Sequence, residues 1–194
     1  GKGHELATHG ENHRGLDAAR SIEGIQDVLN CRLYFEKEFG GIIRGMAFPD
    51  RTVNKKLFPI AYERIKSFLQ ELDIAYARTT GGDNDSFELP DDFHNWVPTA
   101  HHTNPKLMDY IDKFLNMNVN GLYISQRTPR LFYLWGHAFE FENNKNWDLL
   151  ETICEKLSGN PEIYYATNIE LYDYITAYRS LIYSADGKTI YNPT

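Results

Sequence analysis

The chain has 194 residues, a formal net charge of −7 and a sequence pI near 5.5. This acidic balance, without any run of Lys or Arg, argues against nucleic acid as a partner, because binding a polyanion needs clustered positive charge. No apolar stretch has the length of a membrane span. The hydrophobic content of 42% is ordinary for globular proteins, and the length favours a single domain over residues 1–194.

The first part of the chain alternates between strand-like runs and helical patterns. A short strand is predicted over residues 4–8, and a helix capped by an aspartate over residues 17–39. We expect this helix to bury a face of four aliphatic residues, Ile22, Ile25, Leu29 and Leu33. Strands are predicted over residues 42–48 and 74–79, with an amphipathic helix over residues 59–72 between them.

The alternation continues in the second half of the chain. A short strand ends at Ala100, and Asn104 followed by a proline predicts the start of a helix. The remaining predicted elements are a buried strand over 131–135, a helix over 147–158, a strand over 163–166, a last helix opened by a capping box at Thr167 and Glu170, and a β-hairpin over 181–191. This order predicts an α/β fold with a parallel sheet.

Polar residues of catalytic types fall where the predicted strands end. His9 and His13 follow the first strand, residues 44–50 surround the end of the second, residues 96–102 follow another, and His137 follows the strand over 131–135. Active sites of α/β barrels and open sheets lie at the carboxyl ends of their strands. We therefore expect these residues to form a functional site.

The spacing of His9 and His13 allows both imidazoles to reach one metal ion if the backbone turns like a helix. Neutral imidazole is a ligand that Zn²⁺ prefers, and three protein ligands leave a position open for water. His4 is a candidate third ligand, although a structural role in its strand is the alternative. Glu11 would face away from the pair. Two unrelated histidines remain the simpler interpretation of the spacing alone.

Cys31 and Cys154 are the only cysteines, and each lies within an apolar helical pattern. Both are predicted to be buried free thiols rather than a disulfide or a metal pair.

Four segments together resemble the polysaccharide deacetylase family in their order and spacing, over nearly the whole chain. Gly-His-Glu-Leu-Ala-Thr-His-x-x-x-His, from Gly3, looks like the metal-binding histidine motif of that family. Residues 44–49, Arg-Gly-Met-Ala-Phe-Pro, look like its arginine–proline motif. Residues 134–137, Leu-Trp-Gly-His, look like its late histidine motif, and residues 165–174 resemble the C-terminal run of one subgroup.

The resemblance implies a metal-dependent hydrolase that removes acetyl groups from N-acetylated sugars. The implied fold is a distorted, incomplete (β/α) barrel whose first one or two strand–helix units are missing. The implied cofactor is a divalent metal ion, zinc by preference, and the implied partner is a carbohydrate substrate. The implied site consists of the metal ligands His9 and His13, the general acid His137, the orienting Arg44, and the substrate contacts Trp96, Phe48 and His101.

The chain departs from the family pattern at three places. The family's Thr-Phe-Asp-Asp motif, which supplies the base and a metal ligand, would precede His9 by tens of residues, whereas only eight residues precede it here. We therefore expect a truncated barrel whose gap is covered by a homodimer. Gly10 replaces the usual Ser or Thr, and Pro49-Asp50-Arg51 replaces the usual Pro-aromatic-Gly.

Several alternatives remain open at the level of sequence. The protein can be a non-catalytic carbohydrate-binding protein with the same groove, or an amidase related to the same superfamily. Arg44 can be a structural ion-pair partner, and Trp96 can be a core residue. Asp91 or Asp92 can hydrogen-bond His137, and at most one of the adjacent His101 and His102 is expected to face the site. The sequence does not indicate a compartment.

Overall fold

A computed structural model describes residues 3–17, 21–50, 54–80, 82–118, 121 and 128–193. Its helices and strands are, in chain order, α1 (Ser21–Phe39), β1 (Gly45–Ala47), α2 (Pro59–Glu71), β2 (Tyr76–Arg78), β3 (Ala100–His101), α3 (Leu107–Leu115), β4 (Leu134–Trp135), α4 (Ala138–Asn144), α5 (Trp147–Leu157), α6 (Asn168–Ser180), β5 (Ile182–Tyr183) and β6 (Ile190–Tyr191). Unit 1 consists of Gly1–Thr79, Asp92–Trp96 and Tyr165–Thr194, and unit 2 consists of Thr80–Asp91 and Val97–Tyr164.

A short parallel sheet lies at the centre of unit 1. β1 pairs with β2 in parallel, and single parallel bridges place Thr8 beside Met46 and Trp96 beside Arg78. The predicted strand over 4–8 is thus present only as the bridge at Thr8. Since all four segments run the same way, the residues that follow Thr8 and β1 lie at the same edge of the sheet.

The core of unit 1 forms where α2 packs against this sheet. α2 buries Tyr62, Ile65 and Leu69, which lie three and four residues apart. The amphipathic pattern predicted Ile65 and Leu69 but not Tyr62, and Phe68 of the predicted face is exposed. The buried cluster comprises Leu16, Val28, Met46, Phe48, Tyr62, Ile65, Leu69, Ile74 and Ala77. Each fully buried aliphatic or aromatic side chain in such a cluster contributes about 1.5–3 kcal/mol relative to exposure.

The predicted inward face of α1 is wrong. Ile22 and Leu33 are 73% and 56% exposed, whereas Gly24 and Asp27 are buried. A Cβ on Gly24 would lie 2.7 Å from the carbonyl oxygen of Gly15, so the missing side chain lets the helix approach the preceding loop. The helix is therefore oriented by the close approach at Gly24 and the buried carboxylate of Asp27, together with Val28 and Ile25, which pack in the core.

The C-terminal part of unit 1 follows its predicted local signals. The Thr167 hydroxyl accepts a hydrogen bond from the Glu170 amide, and the Glu170 carboxylate accepts one from the Thr167 amide, so the predicted capping box is confirmed. β5 and β6 form the predicted antiparallel hairpin. The predicted strand over 163–166 is wrong, because these residues adopt no regular structure.

Unit 2 is built on a second parallel pair. Ala100 lies opposite Leu134 and His101 opposite Trp135, in β3 and β4. α3 and α5 pack beside it, and the buried cluster comprises Phe87, Ala100, Leu107, Tyr110, Ile111 and Ile153. β4 is shorter than the predicted strand over 131–135, and α4 was not predicted.

The described residues combine helices with three small sheets, two parallel and one antiparallel, and form no closed barrel. The deacetylase-type barrel stays a prediction. No helix in the described part of the chain is long and apolar enough to cross a membrane. Cys31 and Cys154 are both free; Cys31 is buried as predicted, but Cys154 is exposed.

Candidate functional site

His9 and His13 lie side by side on the loop that leaves Thr8 in unit 1. Their ring centroids are 4.7 Å apart and the rings are nearly perpendicular, with an interplanar angle of 81°. The backbone between them is not helical, since Gly10 has φ 80° and His13 has φ 55°. The two rings therefore lie close together, but a left-handed turn rather than a helical turn brings them there, and their binding of one metal ion stays a prediction.

Asp27 of α1, which is 3% exposed, organises this loop. Its carboxylate accepts hydrogen bonds from the Asn12 amide at 2.9 Å, the Asn12 side chain at 3.0 Å and the Arg14 amide at 3.1 Å. Burial of the carboxyl raises its pKa, but these hydrogen bonds outweigh burial and the pKa of Asp27 is lowered. Sequence reasoning missed this residue, because a single aspartate within a helical pattern carries no positional signal.

Gly10 is required by the same carboxylate. A Cβ on Gly10 would overlap the Asp27 Oδ2 atom, and the positive φ of 80° also favours glycine. The replacement of the family's Ser or Thr by Gly10 therefore has a local physical reason in this chain.

The two histidines fit two ligand positions of a metal ion. His9 Nδ1 lies 2.9 Å from the Ala47 carbonyl oxygen, which can only accept, so Nδ1 carries the proton and Nε2 presents its lone pair. His13 Nδ1 lies 3.4 Å from Asp50 Oδ1. Among the described residues, no third donor completes a compact group with this pair.

Arg44 lies at the opposite end of β1 from this loop. It immediately precedes Gly45, whereas His9 contacts Ala47 at the carboxyl end. The Arg44 guanidinium pairs with Asp173 at 3.2 Å and lies 5.6 Å from the ring centroid of Tyr172, both in α6. The structure therefore does not bring Arg44 together with the histidine pair, and its contacts are those of a structural ion pair.

Phe48 and Trp96 are core residues of unit 1. Phe48 is 2% exposed within the buried cluster, and Trp96 is fully buried against Tyr76 and Phe93. Trp96 is thus a core residue, which is the alternative that the sequence left open. Phe48 and Trp96 are both buried, so their placement does not support the expected contacts with a substrate.

A second histidine cluster lies in unit 2, where β3 and β4 end at one edge. His101 and His102 come from the end of β3, and His137 follows β4. All three rings converge on Glu140 of α4. The Glu140 Oε2 atom lies 3.1 Å from His137 Nδ1, 3.2 Å from His101 Nε2 and 3.6 Å from His102 Nε2.

Glu140 is held in place through one oxygen of its carboxylate. The same Oε2 atom accepts a hydrogen bond from the His137 amide at 3.3 Å, which closes a capping box at the start of α4. Burial raises the pKa of Glu140, but the hydrogen bond with His137 and the charge of His101 outweigh it, so the pKa is lowered. Glu140, rather than the expected Asp91 or Asp92, is the carboxylate partner of His137.

His102 is the buried member of the cluster, with 2% exposure. Its ring stacks on Phe141 at a centroid distance of 4.1 Å, and a Cβ on Gly136 would overlap its Nδ1 atom. Neither ring nitrogen has a hydrogen-bond partner among the described residues. The expectation that only one of His101 and His102 faces the site is wrong, because the chain turns after β3 and both rings approach Glu140.

His101, His137 and Glu140 form the one group in the described part of the chain whose donor atoms all lie within 4.8 Å of one another. Two of these residues were predicted site residues, although with other roles. Glu140 and His102 were missed. The signal that could have identified Glu140 is the His-x-x-Glu spacing directly after a strand, which is typical of a helix start.

No family model, curated protein or solved structure matches the chain.

Proposed function

We propose that the protein is a metal-dependent hydrolase that removes N-linked acetyl groups from a polysaccharide or oligosaccharide of the N-acetylglucosamine type. The observation that carries the proposal is the pair of His9 and His13, with ring centroids 4.7 Å apart at the carboxyl edge of a parallel sheet. A buried carboxylate, that of Asp27, fixes the loop that holds them. Such preorganisation is what a metal site needs.

His9 and His13 are the proposed ligands of a divalent ion, with zinc favoured by the nitrogen donors. When bound, such an ion polarises an amide carbonyl and lowers the pKa of water.

His137 is the general acid that the family resemblance implies, and its described contacts lie within unit 2. Its Nδ1 atom donates to the Glu140 carboxylate at 3.1 Å, which fixes the ring, and its side chain is 40% exposed, so Nε2 can reach a substrate. An amide nitrogen is a poor leaving group until it is protonated, and a positioned imidazole supplies that proton. His101 lies beside His137, at a centroid distance of 5.8 Å, and is the proposed polar contact to the sugar.

A homodimer remains part of the proposal. Several large aliphatic side chains of unit 1 are more than 70% exposed, namely Ile22, Ile42, Leu57 and Ile60. Exposed apolar side chains of this size favour association with another apolar surface. Sedimentation velocity tests the proposal directly, and a monomer at all accessible concentrations would contradict it.

Exposed tyrosines favour one rival function, a non-catalytic carbohydrate-binding protein. The exposed tyrosines near the C-terminus are Tyr164, Tyr165, Tyr174, Tyr178, Tyr183 and Tyr191. A tyrosine ring can stack on the apolar face of a sugar while its hydroxyl stays in water. Under this alternative the chain binds the same glycans without hydrolysing them.

The deciding experiment measures acetate release by this chain from N-acetylated chitooligosaccharides with added Zn²⁺. We expect release that is abolished by His9→Gln/His13→Gln and reduced at least about 100-fold by His137→Gln, the usual size of a general-acid contribution. Lys37→Gln, which replaces an exposed residue in the last turn of α1, is the control. Glycan binding without acetate release supports the rival function. If the protein neither binds the glycan nor releases acetate, both functions are contradicted.

A further inference from the structure

We propose that His101, His137 and Glu140 form a second binding site for a divalent ion of the zinc class, located entirely within unit 2. The three residues offer two imidazole nitrogens and one carboxylate oxygen, with the fourth coordination position open to water. Zinc accepts this donor set readily. The site shares no residue with the His9 and His13 pair.

The distances fit tetrahedral coordination. Metal–ligand bonds of about 2.0–2.1 Å imply a separation of about 3.3 Å between neighbouring donor atoms. The Glu140 Oε2 atom lies 3.2 Å from His101 Nε2 and 3.1 Å from His137 Nδ1. The remaining separation, between the two imidazole nitrogens, is within 4.8 Å and can close by rotation of the partly exposed His137 side chain.

His102 gives independent support for a ligand at this position. Its ring is buried, neither nitrogen has a hydrogen-bond partner among the described residues, and Nε2 points at Glu140 Oε2 from 3.6 Å. A buried polar group without a hydrogen-bond partner destabilises the folded protein. The imidazole of His102 is directed at the carboxylate of Glu140. It is therefore well placed to orient Glu140 once that carboxylate binds an ion.

The second ring nitrogen of His101 also suits a metal ligand. His101 Nδ1 lies 2.7 Å from the Thr103 hydroxyl oxygen, which can accept a proton when Nε2 binds an ion. Metal-bound histidines commonly donate their other N–H in this way. Thr103 can equally donate to Nδ1, so the same contact serves the metal-free protein.

Occupation of this site has a consequence that rests on the proposed function. His137 cannot both bind an ion through Nδ1 and remain oriented by Glu140 as a proton donor. Zinc added beyond the ion held by His9 and His13 is therefore expected to inhibit acetate release. The metal site itself does not depend on that activity.

The test is a Zn²⁺ titration by calorimetry, with metal content measured after dialysis. The His9→Gln/His13→Gln protein isolates the site in unit 2, and we expect it to bind one Zn²⁺ ion. Adding Glu140→Gln, which keeps an acceptor for the His137 amide, should weaken that binding more than about 100-fold, because a direct ligand is lost. His102→Asn should weaken it by about 10–100-fold, as expected for a residue that orients a ligand.

Co²⁺ provides a second readout, because its visible absorption reports coordination. A tetrahedral spectrum is expected in the His9→Gln/His13→Gln protein and should be lost with His101→Gln, while thermal melting checks that each variant is folded. No bound ion in the His9→Gln/His13→Gln protein, or an unchanged affinity after Glu140→Gln, would overturn the inference. Failure of the first metal site looks different: wild type would then bind one ion and be unaffected by His9→Gln/His13→Gln.

Discussion

Asp27→Asn should destabilise the protein more than any comparable change on the exposed side of α1. The substitution keeps the shape of the side chain but places an amide NH₂ group where one carboxylate oxygen accepts hydrogen bonds. If the amide oxygen takes the Oδ1 position, the Asn12 amide keeps its bond at 2.9 Å and the Arg14 amide loses its bond at 3.1 Å. One backbone donor is then unsatisfied near a buried carboxylate site.

The magnitude follows from these contacts. An unsatisfied buried donor costs about 1–3 kcal/mol, and hydrogen bonds to a neutral oxygen are about 1 kcal/mol weaker than those to a charged one. Asn12 and Arg14 are exposed residues, so water relieves part of the loss. We therefore expect a decrease of about 2 kcal/mol in the free energy of unfolding, which corresponds to a shift of about 4–8 °C in Tm for a chain of this size.

The effect should depend on pH with a definite sign. The pKa of Asp27 is lowered in the folded state, so the unfolded chain binds the proton more tightly than the native protein. The stability contributed by the carboxylate is complete above its unfolded pKa of about 3.9 and is lost as the pH falls through the folded value. The difference in the free energy of unfolding between wild type and Asp27→Asn should therefore become smaller below about pH 4.

Urea unfolding at pH 7 and at pH 3 measures both expectations. Glu23→Gln is the matched control, because Glu23 lies on the same helix and pairs with the Arg14 side chain at 2.9 Å, with both side chains more than half exposed. That change should cost less than about 1 kcal/mol. Equal unfolding free energies of wild type and Asp27→Asn at pH 7, or a gap that is unchanged at pH 3, would refute the role assigned to Asp27.

Three further changes test the packing around the two clusters. Gly10→Ser should destabilise the protein by at least about 1–2 kcal/mol, the cost of left-handed backbone for a non-glycine residue. In an Asp27→Gly background, the loss of unfolding free energy measured in urea should be smaller. If the effects of the two substitutions are strictly additive, the new side chain does not clash with Asp27. Asp92→Ala should cost about 2–4 kcal/mol at pH 7, because it removes the shared partner of Tyr62, Lys55 and Lys66. Burial raises the pKa of Asp92, but its hydrogen bonds to these three partners outweigh burial and lower the pKa. The loss of stability caused by Asp92→Ala should therefore also become smaller below about pH 4, as measured by thermal melting. Gly136→Ala should lower Tm, because the new Cβ would overlap the His102 ring. The decrease should be smaller in a His102→Ala background, and an equal decrease in wild type and in His102→Ala would contradict the overlap.

The local elements were predictable where short-range signals act alone. The capping box at Thr167 and Glu170, the hairpin over 181–191 and the buried face of α2 each depend on residues within a few positions of one another. The orientation of α1 was not predictable from its aliphatic pattern. It depends on contacts with the loop before the helix, made by Gly24 and Asp27, and periodicity within the helix contains no information about them.

The same distinction applies to the candidate sites. Histidines at strand ends are visible in the sequence, and His9, His13, His101 and His137 were all identified from it. Their partners were not, because Asp27 and Glu140 lie within helical segments where an acidic residue is ordinary. The role predicted for Arg44 depended on a motif whose final residues differ, and its contact with Asp173 spans 129 positions of the chain.

Each histidine cluster is organised by one helix-borne carboxylate at the carboxyl edge of parallel strands. In unit 1 the carboxylate of Asp27 accepts hydrogen bonds from the Asn12 and Arg14 amides, in the loop that carries His9 and His13. In unit 2 the carboxylate of Glu140 contacts the imidazoles themselves and can join them as a ligand. These contacts suit the two groups to the two proposals: His9 and His13 as ligands of the first proposed ion, and His101, His137 and Glu140 as the three donors of the second.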